Sequence, residues 1–501
     1  RLNIPPRKSS TKEPSPQILN TLIEYFQKGN YGEAEKLAIS VTQQFPNNYF
    51  GWMVLGTLFK NKGDLALALE AHQKAVELNP LDGESQNNLG NTFLALDRLD
   101  EAEKSYKKAI KINPDYHLFY CSLGNLYLHS KKFNDSMLSY KKAVELQPDY
   151  SSAHESLGSA LKALGRLEES KASYIKSINL EPKNSNYYML LGRVLRELGE
   201  HDESIKNYKK SIDLDPENIK ARYSLGISLF ESRDYKEASE HFKLIDVAHS
   251  KSFALKCSYL QDNQSTFYEL LDNMVRKGEV NSVIGSLSCR SEIRYGLKKS
   301  NPFCNEPLKY ILKTDLKKNY DFKNIFIDTA KDILSDDTLS PKSTSLVNNG
   351  YQTTGNIFDR TDDNINAIRS IIYLEIERYR RHFNDSDEGV IIRFPSNYSL
   401  HGWLISMRNG GNLDSHMHDN GWLSGSIYIN VPPKINIDSG NLVVCIDDGQ
   451  FGTESNKNQK ESIDVVTGSL CLFPSSLLHH TVPFESKKEE RIVLAFDVIP
   501  N

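Results

Sequence analysis

Residues 83–116 read GESQNNLGNTFLALDRLDEAEKSYKKAIKINPDY, and the same 34-residue phrase recurs through the first half of the chain. Leu89-Gly90, Phe93, Ala102, Tyr106, Ala109 and Pro114 return one period later as Leu123-Gly124, Tyr127, Ser136, Tyr140, Ala143 and Pro148. Another period gives Leu157-Gly158, Leu161, Ser170, Tyr174, Ser177 and Pro182. Upstream, Trp52, Leu55-Gly56, Phe59, Ala68, Ala75 and Pro80 keep the register; downstream come Leu191-Gly192, Tyr208 and Pro216, then Leu225-Gly226, Ala238 and Phe242. The small residue at Gly90 lets two antiparallel helices approach, the Ala or Ser at the position of Ala102 does so from the second helix, and Pro114 ends that helix. A hairpin of this kind cannot bury its apolar face alone, so the pattern predicts a stack.

This pattern resembles the tetratricopeptide repeat family, over residues 15–252 in about seven registers, and implies an all-α solenoid. The resemblance further implies a groove for a protein or peptide, with Asn87, Asn91 and Asn125 at first-helix positions that line it. Asp82, Asp115, Asp149 and Asn218 stand at or beside helix starts, where side-chain oxygens cap free N–H groups. Residues 1–14 are polar and rich in Pro, Lys and Ser, and read as a disordered lead rather than a signal peptide. From 253 to 320 the strict period fails while helical spacing persists, as in Tyr268, Leu270, Leu271, Met274 and Val275. This stretch reads as a helical cap and connector.

The chain has 501 residues, enough for several cores, and 61 Lys plus Arg against 65 Asp plus Glu give a net charge of −4. That balance lacks the basic excess of a dedicated nucleic-acid binder. No run of about 18 apolar residues is present, so no membrane-spanning helix is expected. The six cysteines lack C-x-x-C spacing, which argues against a zinc knuckle or a secreted disulfide framework and points to reduced thiols in a cytoplasmic protein.

After residue 320 the alphabet changes. Two helical stretches, 324–334 and 362–383, precede short β-branched or aromatic runs at 389–394, 401–407, 425–431, 441–446, 462–466, 469–473 and 491–499. Seven such runs without intervening helices predict an α+β domain over 321–501, with an antiparallel sandwich or jelly roll as its core. The whole is therefore expected to be multidomain. In Ser415-His416-Met417-His418-Asp419, residues two apart in extended chain point to one side, so His416 and His418 can converge on a metal ion. His479 follows the apolar run Leu470-Cys471-Leu472-Phe473-Pro474 and can fold back as a third ligand.

The constellation resembles the 2-oxoglutarate and Fe(II)-dependent dioxygenases over about 322–501, most tightly 401–497. Gly410 to His418 looks like the first ligand strand, and Tyr428-Ile429-Asn430 like a strand of prolyl-hydroxylase-type members. Ser439-Gly440-Asn441-Leu442 looks like their glycine turn, and Phe473 through His479 to Arg491 like the distal segment. Gly421-Trp422-Leu423-Ser424-Gly425 and Phe473-Pro474-Ser475 are similar to a bacterial branch in which a His-x-His pair is usual and repeat domains are often attached. The resemblance implies a double-stranded β-helix holding Fe(II) through His416 and His479. It also implies that Arg491 pairs the far carboxylate of 2-oxoglutarate through a bidentate fork, with Tyr428 adding a hydrogen bond. His418 departs from the family pattern, standing where a carboxylate is usual; Asp419 is the alternative third ligand.

The implied activity is hydroxylation of a C–H bond with dioxygen and 2-oxoglutarate, on a protein or peptide held by the repeats. Two other readings stand beside it: a repeat scaffold carrying a cupin-like metal site that has no need of Arg491, or one carrying a degenerate barrel.

Overall fold

The computed structural model describes residues 13–335, 346–447, 449, 459–486 and 489–501; most of the expected lead lies outside them. The chain divides into two compact units after Ser232. The first is helical throughout: α1 (Pro16–Gln27), α2 (Tyr31–Gln44), α3 (Tyr49–Lys62), α4 (Leu65–Leu78), α5 (Gly83–Ala95), α6 (Leu99–Ile112) and α7 (His117–His129). It continues with α8 (Phe133–Leu146), α9 (Ser151–Ala163), α10 (Leu167–Leu180), α11 (Ser185–Glu197), α12 (His201–Leu214) and α13 (Ile219–Glu231). From α3 on, every second helix begins at 49, 83, 117, 151, 185 and 219, so the sequence period is the structural period.

One packing device recurs inside the hairpins. A Cβ built on Gly90 would stand 2.7 Å from the ring of Tyr106, and on Gly124, Gly158 and Gly192 it would stand 2.8, 2.9 and 2.8 Å from Tyr140, Tyr174 and Tyr208. The glycine is therefore a seat for the tyrosine ring of the following helix, and all four tyrosines are fully buried. Where the second helix carries serine, its hydroxyl donates to the glycine carbonyl: Ser136 to Gly124 at 2.9 Å, Ser170 to Gly158 at 2.7 Å, Ser204 to Gly192 at 2.8 Å. Asp82 and Asn218 are N-caps, accepting from Ser85 N and Ala221 N. Asp115 and Asp149 precede the cap residues Tyr116 and Tyr150, which make no side-chain cap bond.

The second unit opens with four helices, α14 (Tyr235–Lys243), α15 (Ala248–Leu260), α16 (Gln264–Arg276) and α17 (Ser282–Tyr295), before strand β1 (Leu312–Asp315). A π-helical turn (Lys323–Asp328) runs into α18 (Thr329–Leu334), then come β2 (Val347–Gln352), α19 (Asp363–His382) and α20 (Gly389–Ile392). The remaining strands are β3 (Tyr398–Leu413), β4 (Leu423–Asn430), β5 (Leu442–Cys445), β6 (Lys460–Ile463), β7 (Ser469–Pro474), β8 (Leu478–Thr481) and β9 (Arg491–Pro500). They form two antiparallel sheets, six strands in the order β1-β7-β4-β9-β3-β2 and three in the order β6-β5-β8.

The run 389–394 was expected as a strand and is instead the short helix α20. Its β-branched residues signal burial: Val390 and Ile391 enter the main core, while Val390 N donates to Phe303 O and its carbonyl accepts from Trp422 Nε1. A Cβ on Gly389 would fall 1.9 Å from Pro302 O, so backbone packs on backbone and no strand partner can pair. The strands β1, β2 and β8 were not anticipated; LKTD, VNNGYQ and LHHT are too short or too polar to stand out from loop.

Strand alternation gives the large sheet two different faces. Leu400, Leu404, Leu423, Ile427, Leu470, Leu472, Leu494, Phe496 and Val498 pack with Ile365, Ile368, Ile372 and Ile376 of α19. The alternate residues Tyr428, Cys471, Phe473 and Val493 join Leu442, Val444 and Ile463 of the small sheet. The histidines lie on this inner side. Among the described residues no helix is long and apolar enough to cross a membrane.

Candidate metal centre

The inner face encloses a cavity of about 350 Å³ whose lining includes His416, His418 and His479, together with Trp403, Ile405 and Tyr428. Nitrogens of the three histidines lie within 4.8 Å of one another, and this is the group of metal-competent side chains that converges among the described residues. Backbone pairing makes the convergence: His416 N donates to His479 O at 3.1 Å and His479 N to His416 O at 2.8 Å. This bridge joins segments 63 residues apart by sequence number. His418 follows two residues on and reaches the same point, its Nε2 3.1 Å from His416 Nε2.

Hydrogen bonding fixes the protons. His416 Nδ1 faces the carbonyl of Asp414 at 2.8 Å; a carbonyl only accepts, so Nδ1 carries the hydrogen and Nε2 presents its lone pair. His418 Nδ1 lies 2.6 Å from Asp497 Oδ1, so it too donates and leaves Nε2 toward the centre. Two Nε2 lone pairs 3.1 Å apart repel unless a proton or a metal ion sits between them. Burial and the neighbouring His418 push His416 down to about 4. Burial, with His416 and His418 beside it, takes His479 well below the usual imidazole value. Burial also opposes charge on His418, but the charge and hydrogen bond of Asp497 outweigh it and raise its pKa. The lowered values of His416 and His479 favour the neutral imidazole that a metal requires.

Asp419 lies apart from this group: its carboxylate is paired with Lys256 Nζ of α15, and its carbonyl accepts from Ser282 Oγ of α17 at 2.9 Å. Asp497 was not singled out from the sequence. In an apolar terminal strand an aspartate three residues from the end reads as an edge charge; only the register, which sets it opposite His401 and Ser424, brings it to His418.

Arg491 opens β9 on the same face and is fully buried. Its Nη1 donates to Gly440 O, while Nε and Nη2 have no hydrogen-bond partner among the described residues. Its guanidinium carbon lies 5.1 Å from the ring centre of Tyr428. Burying a cation without an anion costs several kcal/mol, and no hydrogen-bonded anion meets Arg491 among the described residues. Burial lowers the Arg491 pKa, with Tyr428 opposing, and burial raises the Tyr428 hydroxyl. Gly440 is required twice over: its φ is +72°, and a Cβ would stand 2.5 Å from Arg491 Nη1.

In the helical unit, Asn91 accepts from Tyr106 Oη at 2.8 Å and Asn125 from Tyr140 Oη at 2.5 Å. Asn87 Oδ1 is buried without a partner among the described residues.

Residues 401–497 match the family described as "Putative 2OG-Fe(II) oxygenase". Tetratricopeptide-repeat families match at 22–82, 83–116, 105–137, 151–184 and 192–232. Similar solved structures include MamA, at 23% identity over 33% of this chain and 97% of that one, TM-score 0.31. YrrB, described as a TPR protein with an unusual peptide-binding site, matches at 18% over 37% and 95%, TM-score 0.31. A tetratricopeptide repeat protein from Parabacteroides merdae matches at 17% over 51% and 96%, TM-score 0.37. The search of curated proteins gives no match.

Proposed function

We propose, for a chain that combines tetratricopeptide repeats with a segment similar to 2OG-Fe(II) oxygenases, that the second unit is a 2-oxoglutarate-dependent hydroxylase whose substrate is a protein or peptide bound by the repeats. The observation that carries the reading is the pairing of a convergent three-histidine group with a buried guanidinium that has no hydrogen-bonded anion among the described residues. The two antiparallel sheets, sharing one core on their inner faces, support a jelly roll. We assign the array to residues 15–252 and the catalytic domain to 321–501, with 253–320 between them.

His416, His418 and His479 would hold Fe(II), and Arg491 would take the far carboxylate of 2-oxoglutarate. Iron with its cosubstrate supplies the oxidising chemistry when bound. The protein's own part is placement. Nε and Nη2 of Arg491 offer a two-point fork to a carboxylate, and Tyr428 closes the pocket beside it. Trp403, Ile405, Met407 and Val493 give the cavity apolar walls, which exclude water and suit an uncharged C–H donor. Asn87, Asn91 and Asn125 are assigned to the peptide backbone in the repeats.

The test is anaerobic titration of the full chain with Fe(II), then 2-oxoglutarate, followed by visible absorption. The expected result is one metal per chain and a metal-to-ligand charge-transfer band that saturates with 2-oxoglutarate. Stoichiometric metal without the band would support the cupin-like reading; no metal would leave a degenerate barrel.

A further inference from the structure

We propose that Asp497 supplies, through His418, the negative charge that a carboxylate ligand would bring to the metal centre; the inference rests on the metal-binding reading above. Three imidazoles make a neutral ligand set, whereas two imidazoles and a carboxylate carry one negative charge. Asp497 is 6% exposed, and the ion-pair partner found for it among the described residues is His418. Its Oδ1 lies 2.6 Å from His418 Nδ1 and also accepts from Ser424 Oγ at 2.8 Å. Ser424 is in turn hydrogen-bonded to Ser475 Oγ at 2.8 Å. The carboxylate is thus oriented by buried hydroxyls from β4 and from the turn after β7, and cannot swing away from the imidazole.

The loop carrying His418 lies close over this group: a Cβ on Gly421 would meet Ser475 Oγ at 2.5 Å and Asp497 Oδ1 at 3.2 Å. A buried carboxylate held this way draws the Nδ1 proton, fixes the tautomer, and makes Nε2 a more basic donor. Counted together, His418 and Asp497 return to the site the charge that the His-x-His pattern removes. Asp497 touches neither metal nor substrate in this scheme, and is a positioning residue.

Co(II) binding to the full chain, read by calorimetry and by visible d–d absorption, tests this in wild type, D497N, D497E, H418D and H418D/D497N. D497N should weaken Co(II) by about 10–100-fold and change the band, and D497E should recover most of both. In the H418D background the metal has its carboxylate directly, so adding D497N should change affinity by no more than about twofold, the scatter of uncoupled sites. Wild-type affinity and spectrum in D497N, or an equal loss from D497N in both backgrounds, would overturn the role through His418 and leave the metal site standing. Failure of the wild type to bind Co(II) would overturn the metal reading and this inference with it. If D497N does not fold by circular dichroism, D497S, which removes the charge and leaves room for water, is judged by the same criteria.

Discussion

The helical unit solves one packing problem four times, while the second unit makes each contact of its site once. Gly90, Gly124, Gly158 and Gly192 all seat a tyrosine ring, and the polar partner of Tyr106 is only 15 residues away. The bond between His418 and Asp497 spans 79 residues, and no second copy exists among the described residues. Stability in a repeat stack is a sum of local and nearest-neighbour terms, so damage there should be graded. Damage to a singular site should be total. The sharpest way to break this contrast is His416→Ala or His479→Ala. Each removes one of three converging nitrogens, and stoichiometric Fe(II) or Co(II) binding should be lost while far-UV circular dichroism keeps the helical signal. Metal affinity equal to wild type in both variants would remove the site assignment.

Arg491→Ala comes next in size. It deletes no metal ligand, so metal affinity should stay, but 2-oxoglutarate should lose a desolvated charge pair worth about 2–5 kcal/mol. At about 1.4 kcal/mol per decade that is tens to thousands of fold in affinity, read from the charge-transfer titration. Apolar replacement also removes the cost of a buried unpaired cation, so thermal stability without 2-oxoglutarate should hold or rise. A sharp loss of stability in that state would make Arg491 structural.

These two regions also differ in how far the sequence discloses them. The repeats are legible because each contact sits at a fixed offset: Gly90 and Tyr106 recur together through four successive periods, and a hairpin needs nothing outside itself to be read. His416 and His418 are legible because a two-residue spacing is a local geometric fact. Asp497 is not, since its role comes from a register opposite Ser424 and His401 that no short window contains. The segment 389–394 misled for the same reason, its β-branched residues reporting burial against Phe303 and Trp422 rather than strand pairing. Arg491 was placed by its position after the distal histidine, but its missing partner is visible only once the fold surrounds it.

Within the repeats the contrast is sharpened by Gly158→Ala. The new Cβ would stand 2.9 Å from Tyr174 Cε1, closer than carbon atoms pack, and both ring and helix are fixed by their neighbours. Overpacking of this kind costs about 1–3 kcal/mol, observed as a lower urea midpoint for the helical signal. Co(II) affinity of the full chain should be unchanged, because the lesion is confined to one hairpin.

The smallest expected effect belongs to Tyr106→Phe, which keeps the ring against Gly90 and removes only the hydroxyl that donates to Asn91 Oδ1 at 2.8 Å. A net hydrogen bond contributes about 0.5–1.5 kcal/mol. Asn91 is half-buried, so water replaces only part of what is lost, whereas Asn125 is exposed and its amide is free to turn to solvent after Tyr140→Phe. The first substitution should therefore cost more than the second, although the two hairpins are written in the same pattern. Double-mutant cycles with Asn91→Ala and Asn125→Ala measure the two couplings directly in urea unfolding. Equal couplings would mean that burial at the asparagine does not govern these bonds, and the repeats would then be alike energetically as well as in form.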